Sequence, residues 1–219
     1  MDIAIRLFTD IHGLILDVVN GAGSWTYLLM FVVIFCETGL VVTPFLPGDS
    51  LIFAAAAVAA SPQQSVLDPW VLLVVLIAAA IAGDTVNYWV GARLGPAALS
   101  NPDSRIFRRE YLDRTHAFFE RWGGVAIIMG RFAPFVRTFA PFMAGVGTMD
   151  YPRFLAYNAI GGIAWVSLFT GAGYFFGRIP VVEKNLTLVL TAMVAVTLIP
   201  IVWESAKKVG AKVSGAAKR

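Results

Sequence analysis

The chain has 219 residues, 58% of them hydrophobic and 14% charged, with a mean hydropathy of +0.74. Soluble domains carry roughly 45 to 50% apolar and about 25% charged residues, so this composition excludes an ordinary soluble domain and defines an integral membrane protein. The net charge of +3 does not indicate nucleic acid, because the basic residues lie beside apolar segments as membrane-flanking charges do. A single cysteine, Cys36, excludes a disulfide framework.

Residues 1–24 place Leu7, Phe8, Ile11, Leu14, Ile15 and Val18 on one helical face and Arg6, Asp10, Gly13 and Asp17 on the other. This predicts an amphipathic helix lying in the membrane interface. Asp2, Asp10 and Asp17 also break the pattern of a cleaved signal peptide.

Residues 25–203 read as a single polytopic membrane domain. Its first apolar arm, from Trp25 to Val42, contains Glu37, and a shorter arm starts at Leu51. Between them TPFLPGDS, residues 43–50, holds the helix breakers Pro44, Pro47 and Gly48 and a second carboxyl group, Asp49. Two short apolar arms around such a break predict a re-entrant helical hairpin over 25–60, since irregular backbone at membrane depth survives only against protein or water.

A spanning helix follows over 70–92, with Asp84 and Tyr88 on one face. These two, with Asn158, are candidates to line a cavity; the alternative is that Asp84 satisfies Tyr88 and Asn158 structurally. Arg105, Arg108, Arg109, Arg114 and Arg121, mixed with acidic and aromatic residues, predict an amphipathic cytoplasmic helix over 103–122. A second hairpin is predicted over 123–148, around RFAPFVRTFAPFMAG from Arg131 to Gly145, with Pro134 and Pro141 as its breaks. Spans over 154–177 and 185–203 complete the domain, and 204–219 is a basic cytoplasmic tail.

Arg131 and Arg137 are the chemical anomaly of this sequence. An arginine at bilayer depth costs about 3 kcal/mol or more, so a pair needs a partner or a purpose. Guanidinium stays charged, is weakly hydrated and grips phosphate oxygens with two parallel hydrogen bonds, which points to binding of a lipid-linked phosphate. The alternative is a structural ion pair with Glu37 or Asp49. Those carboxyl groups are candidates for proton coupling or ion pairing, because burial favours a neutral carboxyl while a neighbouring arginine favours the ionised one. His12 and His116 fall outside the apolar segments and no Cys or His cluster occurs, so neither a metal nor a cofactor is expected.

The two hairpins resemble each other. The shift that places Glu37 on Arg131 also places Phe45 on Phe139 and Pro47 on Pro141, and each following span ends in a similar word, YWVGAR at Tyr88 and YFFGR at Tyr174. If the arginine-rich stretch and the tail are cytoplasmic, the hairpins enter from opposite faces. The expected fold is therefore an all-α membrane protein, with two opposed re-entrant helical hairpins and spanning helices in an inverted-repeat, transporter-like architecture.

Glu37, FLPGDS at 45–50, GDTVNYWVGARLG at 83–95 and the arginine-proline spacing from Arg131 to Gly145 resemble the signature of the DedA family of membrane proteins. The resemblance covers residues 25–203. It implies a multi-pass protein of a prokaryotic inner membrane with a cytoplasmic C-terminus, involved in envelope maintenance. Some members are implicated in translocating undecaprenyl phosphate, with dependence on the proton motive force and on acidic and arginine residues that correspond here to Glu37, Asp49, Arg131 and Arg137.

The expected function is that of a flippase for undecaprenyl phosphate or a similar anionic polyprenyl lipid or phospholipid. The partners are then the anionic lipid and the bilayer, without nucleic acid, and a homo-oligomer is compatible with it. The alternatives are a proton-dependent cation antiporter and a membrane-embedded phosphatase. The last would need an acid or nucleophile such as histidine beside the phosphate, and no histidine lies in the membrane stretches. The protein is expected not to be an enzyme.

Overall fold

The structure, a computed structural model, describes residues 17, 19, 21–40, 48–61, 67–99, 122–179, 181–182, 185 and 188–193. Its main helices are α1 (Trp25–Gly39), α2 (Gly48–Ala59), α3 (Pro69–Leu99), α4 (Val125–Gly130), α5 (Pro134–Val146) and α6 (Tyr151–Phe176). No strand occurs among the described residues. Five expected features lie outside them: the amphipathic stretch before Asp17, the break with Pro44 and Pro47, residues 103–121, the last span beyond 193, and the tail.

Length and surface make this a membrane protein. Within α3 the apolar stretch Pro69–Gly95 has 27 residues, and α6 has 26. At 1.5 Å per residue both reach about 40 Å, enough to cross a hydrocarbon core of roughly 30 Å. Their outward faces are apolar: Val71, Val74, Val86, Ile160, Ile163 and Leu168 are all exposed. Glu37, Asp84, Asn87, Arg131, Arg137 and Asn158 are buried instead. Apolar outside and charged inside is the distribution expected in lipid. Trp25 and Trp70 stand exposed at the starts of α1 and α3, as interfacial anchors do.

The remaining helices are short. With 15, 12 and 13 residues, α1, α2 and α5 reach only about 18 to 22 Å each. They pack crosswise: α1 and α5 lie against α3, while α2 and α4 lie against α6. Small residues bring these backbones together. A Cβ on Gly145 would stand 2.0 Å from the Tyr88 carbonyl oxygen, one on Gly91 2.0 Å from that of Phe142, and one on Gly173 2.2 Å from that of Phe53. Only glycine permits those crossings, the close packing that drives helix association without water.

Three boundaries correct the sequence-based expectation. The first span does not end at 92 but continues to Leu99, because Gly91 and Gly95 hold its last turns against α5. Pro141 is not the break expected of it: it lies inside α5, where packing against α3 carries the helix past the missing N–H. Pro134 does mark a break, standing at the start of α5 after Arg131–Ala133. Gly48, expected as a break, is the first residue of α2.

Candidate functional site

The site is built from the end of α1, the start of α2, the link between α4 and α5, and the two long helices. Glu37 lies near the end of α1, Asp49 in the first turn of α2, Arg131 just after α4 and Arg137 in the first half of α5. Arg137 donates to two carboxylates at once, to Glu37 Oε1 from Nη2 and to Asp49 Oδ1 from Nη1 at 2.9 Å. Glu37 Oε1 also accepts the backbone N–H of Gly48 at 3.0 Å. That contact explains the glycine, since a Cβ there would stand 1.7 Å from Glu37 Oε2. One carboxylate thus ties the end of α1 to the start of α2 and both to α5.

Asp49 has a further partner. Trp165 of α6 donates its indole N–H to the same Oδ1 at 3.0 Å, and its ring lies 5.2 Å from the Arg137 guanidinium carbon. The indole therefore contributes a hydrogen bond to the acid and a cation–π contact to the base. The Asp49 side chain is 22% exposed whereas Glu37 is fully buried, which makes Asp49 the open end of the group.

Arg131 belongs to a second group. Its Nη2 donates to Asp84 Oδ2 on α3 and to Asn158 Oδ1 on α6, while the Asn158 amide donates to the Ile81 carbonyl at 3.1 Å. Gly161 and Gly162 make room for this arginine, because a Cβ on Gly161 would lie 3.1 Å from its Cδ. Between the two groups Asn87 donates to the carbonyls of Thr38, at 3.2 Å, and Thr138, at 2.7 Å. It pins the end of α1 and the middle of α5 to one side chain of α3.

Three carboxylates therefore face two guanidiniums in a setting closed to water except at Asp49. Fully ionised, the group carries one excess negative charge, and a single proton neutralises it. Arg131 Nε, Arg137 Nε and Glu37 Oε2 are buried without a hydrogen-bond partner among the described residues. The arginines thus keep donors beyond their carboxylates.

Of the residues singled out in the sequence, Glu37, Asp49 and Arg137 come together, as do Asp84, Asn158 and Arg131. Tyr88 joins neither group. One turn beyond Asp84, its hydroxyl donates to the Met149 carbonyl and its ring stacks on Phe154 with centroids 4.5 Å apart. Trp165 and Asn87 were not singled out as site residues. The signal available was an indole N–H and a carboxamide in mid-span, where each needs a buried partner.

Two apolar spanning helices around a buried cluster of arginines, carboxylates and asparagines define the class: a polytopic membrane protein with ionisable groups gathered among its helices. The VTT domain model matches residues 46–175, and the chain belongs to this VTT-domain, or DedA, family. It is 52% identical over 198 residues to Protein DedA of Escherichia coli, covering 90% of this chain and 89% of that one. It is also 42% identical over 193 residues to an uncharacterized membrane protein of Mycobacterium tuberculosis, covering 86% and 82%. To the inner membrane protein YghB of Escherichia coli it is 37% identical over 168 residues, covering 77% and 75%. No solved structure matches the chain.

Proposed function

We propose that this protein is a transporter that moves an anionic, phosphate-bearing lipid, undecaprenyl phosphate or a similar polyprenyl lipid or phospholipid, across the inner membrane. Arg131 and Arg137 bind the head group, and Glu37 and Asp49 couple its passage to protons. The observation that carries the reading is Arg137 held between Glu37 and Asp49. A phosphate that takes over the guanidinium releases buried carboxylates, and a buried carboxylate without its arginine takes up a proton. Lipid and proton then move together. The lipid leaves unhydrolysed, so the protein is not an enzyme on this reading.

The architecture proposed is two opposed re-entrant hairpins, α1–α2 and α4–α5, related as an inverted repeat with α3 and α6 as the equivalent spans. Two features support it. The arms α1, α2 and α5 are too short to cross alone. The packing is also reciprocal: the first arm of each hairpin lies on its own following span, and the second arm on the span of the other half. Exchange of that kind is what a two-fold axis in the membrane plane produces.

The test is reconstitution. Purified protein in liposomes with undecaprenyl phosphate in one leaflet is expected to move it without releasing inorganic phosphate. Release of phosphate would make the protein a phosphatase. Proton flux that depends on a cation and occurs without lipid movement would favour the antiporter, the second reading, which the excess of carboxylates over arginines supports.

A further inference from the structure

A groove separate from the charged cluster opens on the surface between the start of α3 and the end of α6. Pro69, Trp70 and Leu73 form one wall, and Thr170, Gly171 and Tyr174 lie in the other, with a volume of about 220 Å³. That exceeds the roughly 150 Å³ that admits a benzene ring, so a stretch of one hydrocarbon chain fits. From Ser167 to Phe175, both of which line it, the groove follows α6 for about 12 Å. Gly171 borders this open space: a Cβ there would meet nothing within 4 Å.

A cation stands at one end of this groove. Arg178, one turn past Tyr174, is exposed. Its guanidinium lies over the Tyr174 ring, 4.1 Å from the centroid, and donates to the Tyr174 hydroxyl and, from Nε at 3.3 Å, to the Ala60 carbonyl. No carboxylate pairs with it among the described residues. The acid at this end of α3, Asp68, is engaged as the helix cap, accepting the N–H groups of Trp70 at 2.8 Å and Val71 at 3.0 Å. Arg178 is thus a positioned cation at the end of α6, its orientation fixed by neutral partners and its charge without a carboxylate among the described residues.

We infer that this groove binds an anionic phospholipid or polyprenyl phosphate, the chain lying along Gly171 and the phosphate on Arg178. The choice of occupant rests on charge: an apolar groove alone accepts any chain, whereas a guanidinium at its end, with no carboxylate on it among the described residues, selects a phosphate head without a compensating cation. As the place where the transported lipid is taken up, it rests on the transport reading above. As a binding site it does not.

The experiment uses the full chain in proteoliposomes of dioleoylphosphatidylcholine with a minor fraction of undecaprenyl phosphate or dioleoylphosphatidylglycerol. A benzophenone amino acid replaces Phe175, which is 71% exposed and lines the groove. After illumination, mass spectrometry is expected to find the anionic lipid on the protein several-fold above its bulk fraction. Arg178→Gln is expected to return that ratio to bulk, Arg178→Lys to keep part of the enrichment, and Gly171→Leu to lower adducts of every lipid. Adducts that follow bulk composition in the parent protein, or enrichment unchanged by Arg178→Gln, would overturn the assignment. So would displacement by excess inorganic phosphate, which would mean an anion site indifferent to the chain. Enrichment without translocation would uphold the groove and sink the transport reading, and translocation without enrichment would do the reverse.

Discussion

Arg137 and Glu37 are 100 positions apart in the chain and joined by a buried ion pair. The same guanidinium also holds Asp49 at 2.9 Å, so one side chain of α5 closes the junction between α1 and α2. Removing one partner of a buried pair strands the other, at a cost of about 3 to 5 kcal/mol. Arg137→Ala is therefore expected to lower the thermal unfolding temperature in detergent markedly. Arg137→Lys, which keeps the charge and loses the two-pronged geometry, is expected to fold near normally and yet lose translocation. A lysine variant with full translocation would show that only charge matters at this position.

Arg131 and Asp84 form the second pair, and a double-mutant cycle measures it. Asp84→Asn and Arg131→Gln are each expected to destabilise, while the double variant falls short of their sum by about 1 to 3 kcal/mol. Strict additivity would mean that the two side chains do not depend on each other.

The backbone crossings make a prediction of opposite signs. Gly145→Ala puts a Cβ 2.0 Å from the Tyr88 carbonyl oxygen and should cost about 1 to 3 kcal/mol through forced separation of α3 and α5. Gly171→Ala meets open space and should raise stability by up to about 1 kcal/mol through helix propensity. Thermal unfolding of the two variants side by side checks this: an unchanged Gly145→Ala would refute the crossing geometry, and a loss in Gly171→Ala would refute the open space at that position.

Trp165→Phe keeps the ring and removes the N–H that Asp49 accepts at 3.0 Å. Stability should fall by only about 1 kcal/mol, the usual net value of one hydrogen bond. The rate of lipid movement should fall well beyond what that small loss explains. An unaltered rate would confine Trp165 to packing.

The proposed inverted topology can be tested with thiol reagents. Once Cys36 is replaced by serine, single cysteines at Ser65 and Ser104 should react with a membrane-impermeant maleimide from opposite sides. Labelling of both from one side would dismantle the opposed-hairpin arrangement.

Much of the site was visible in the sequence, for a simple reason. A charge in an apolar stretch stands out, so Glu37, Asp49, Arg131 and Arg137 could be found by hydropathy, and Pro134 marked the break beside them. Partner choice was less visible because it depends on how helices rotate against one another. Asp84, on a span, takes Arg131, while the acids of the short helices α1 and α2 go to Arg137. Tyr88 shares a helical face with Asp84, yet the single turn of rise between them carries its hydroxyl to Met149. Pro141 reads as a break by local propensity, and contacts with α3 override it. The same contacts, through Gly91 and Gly95, prolong α3 past the point where composition changes.

The account stands most directly on whether the two arginines carry the head group. The measurement is the initial rate of undecaprenyl phosphate translocation in proteoliposomes, with and without a pH gradient, for the parent protein and for the folded variants Arg131→Lys and Arg137→Lys. The parent protein should respond to the gradient, and both variants should lose nearly all translocation under either condition. Parent-like rates in both variants would contradict the account.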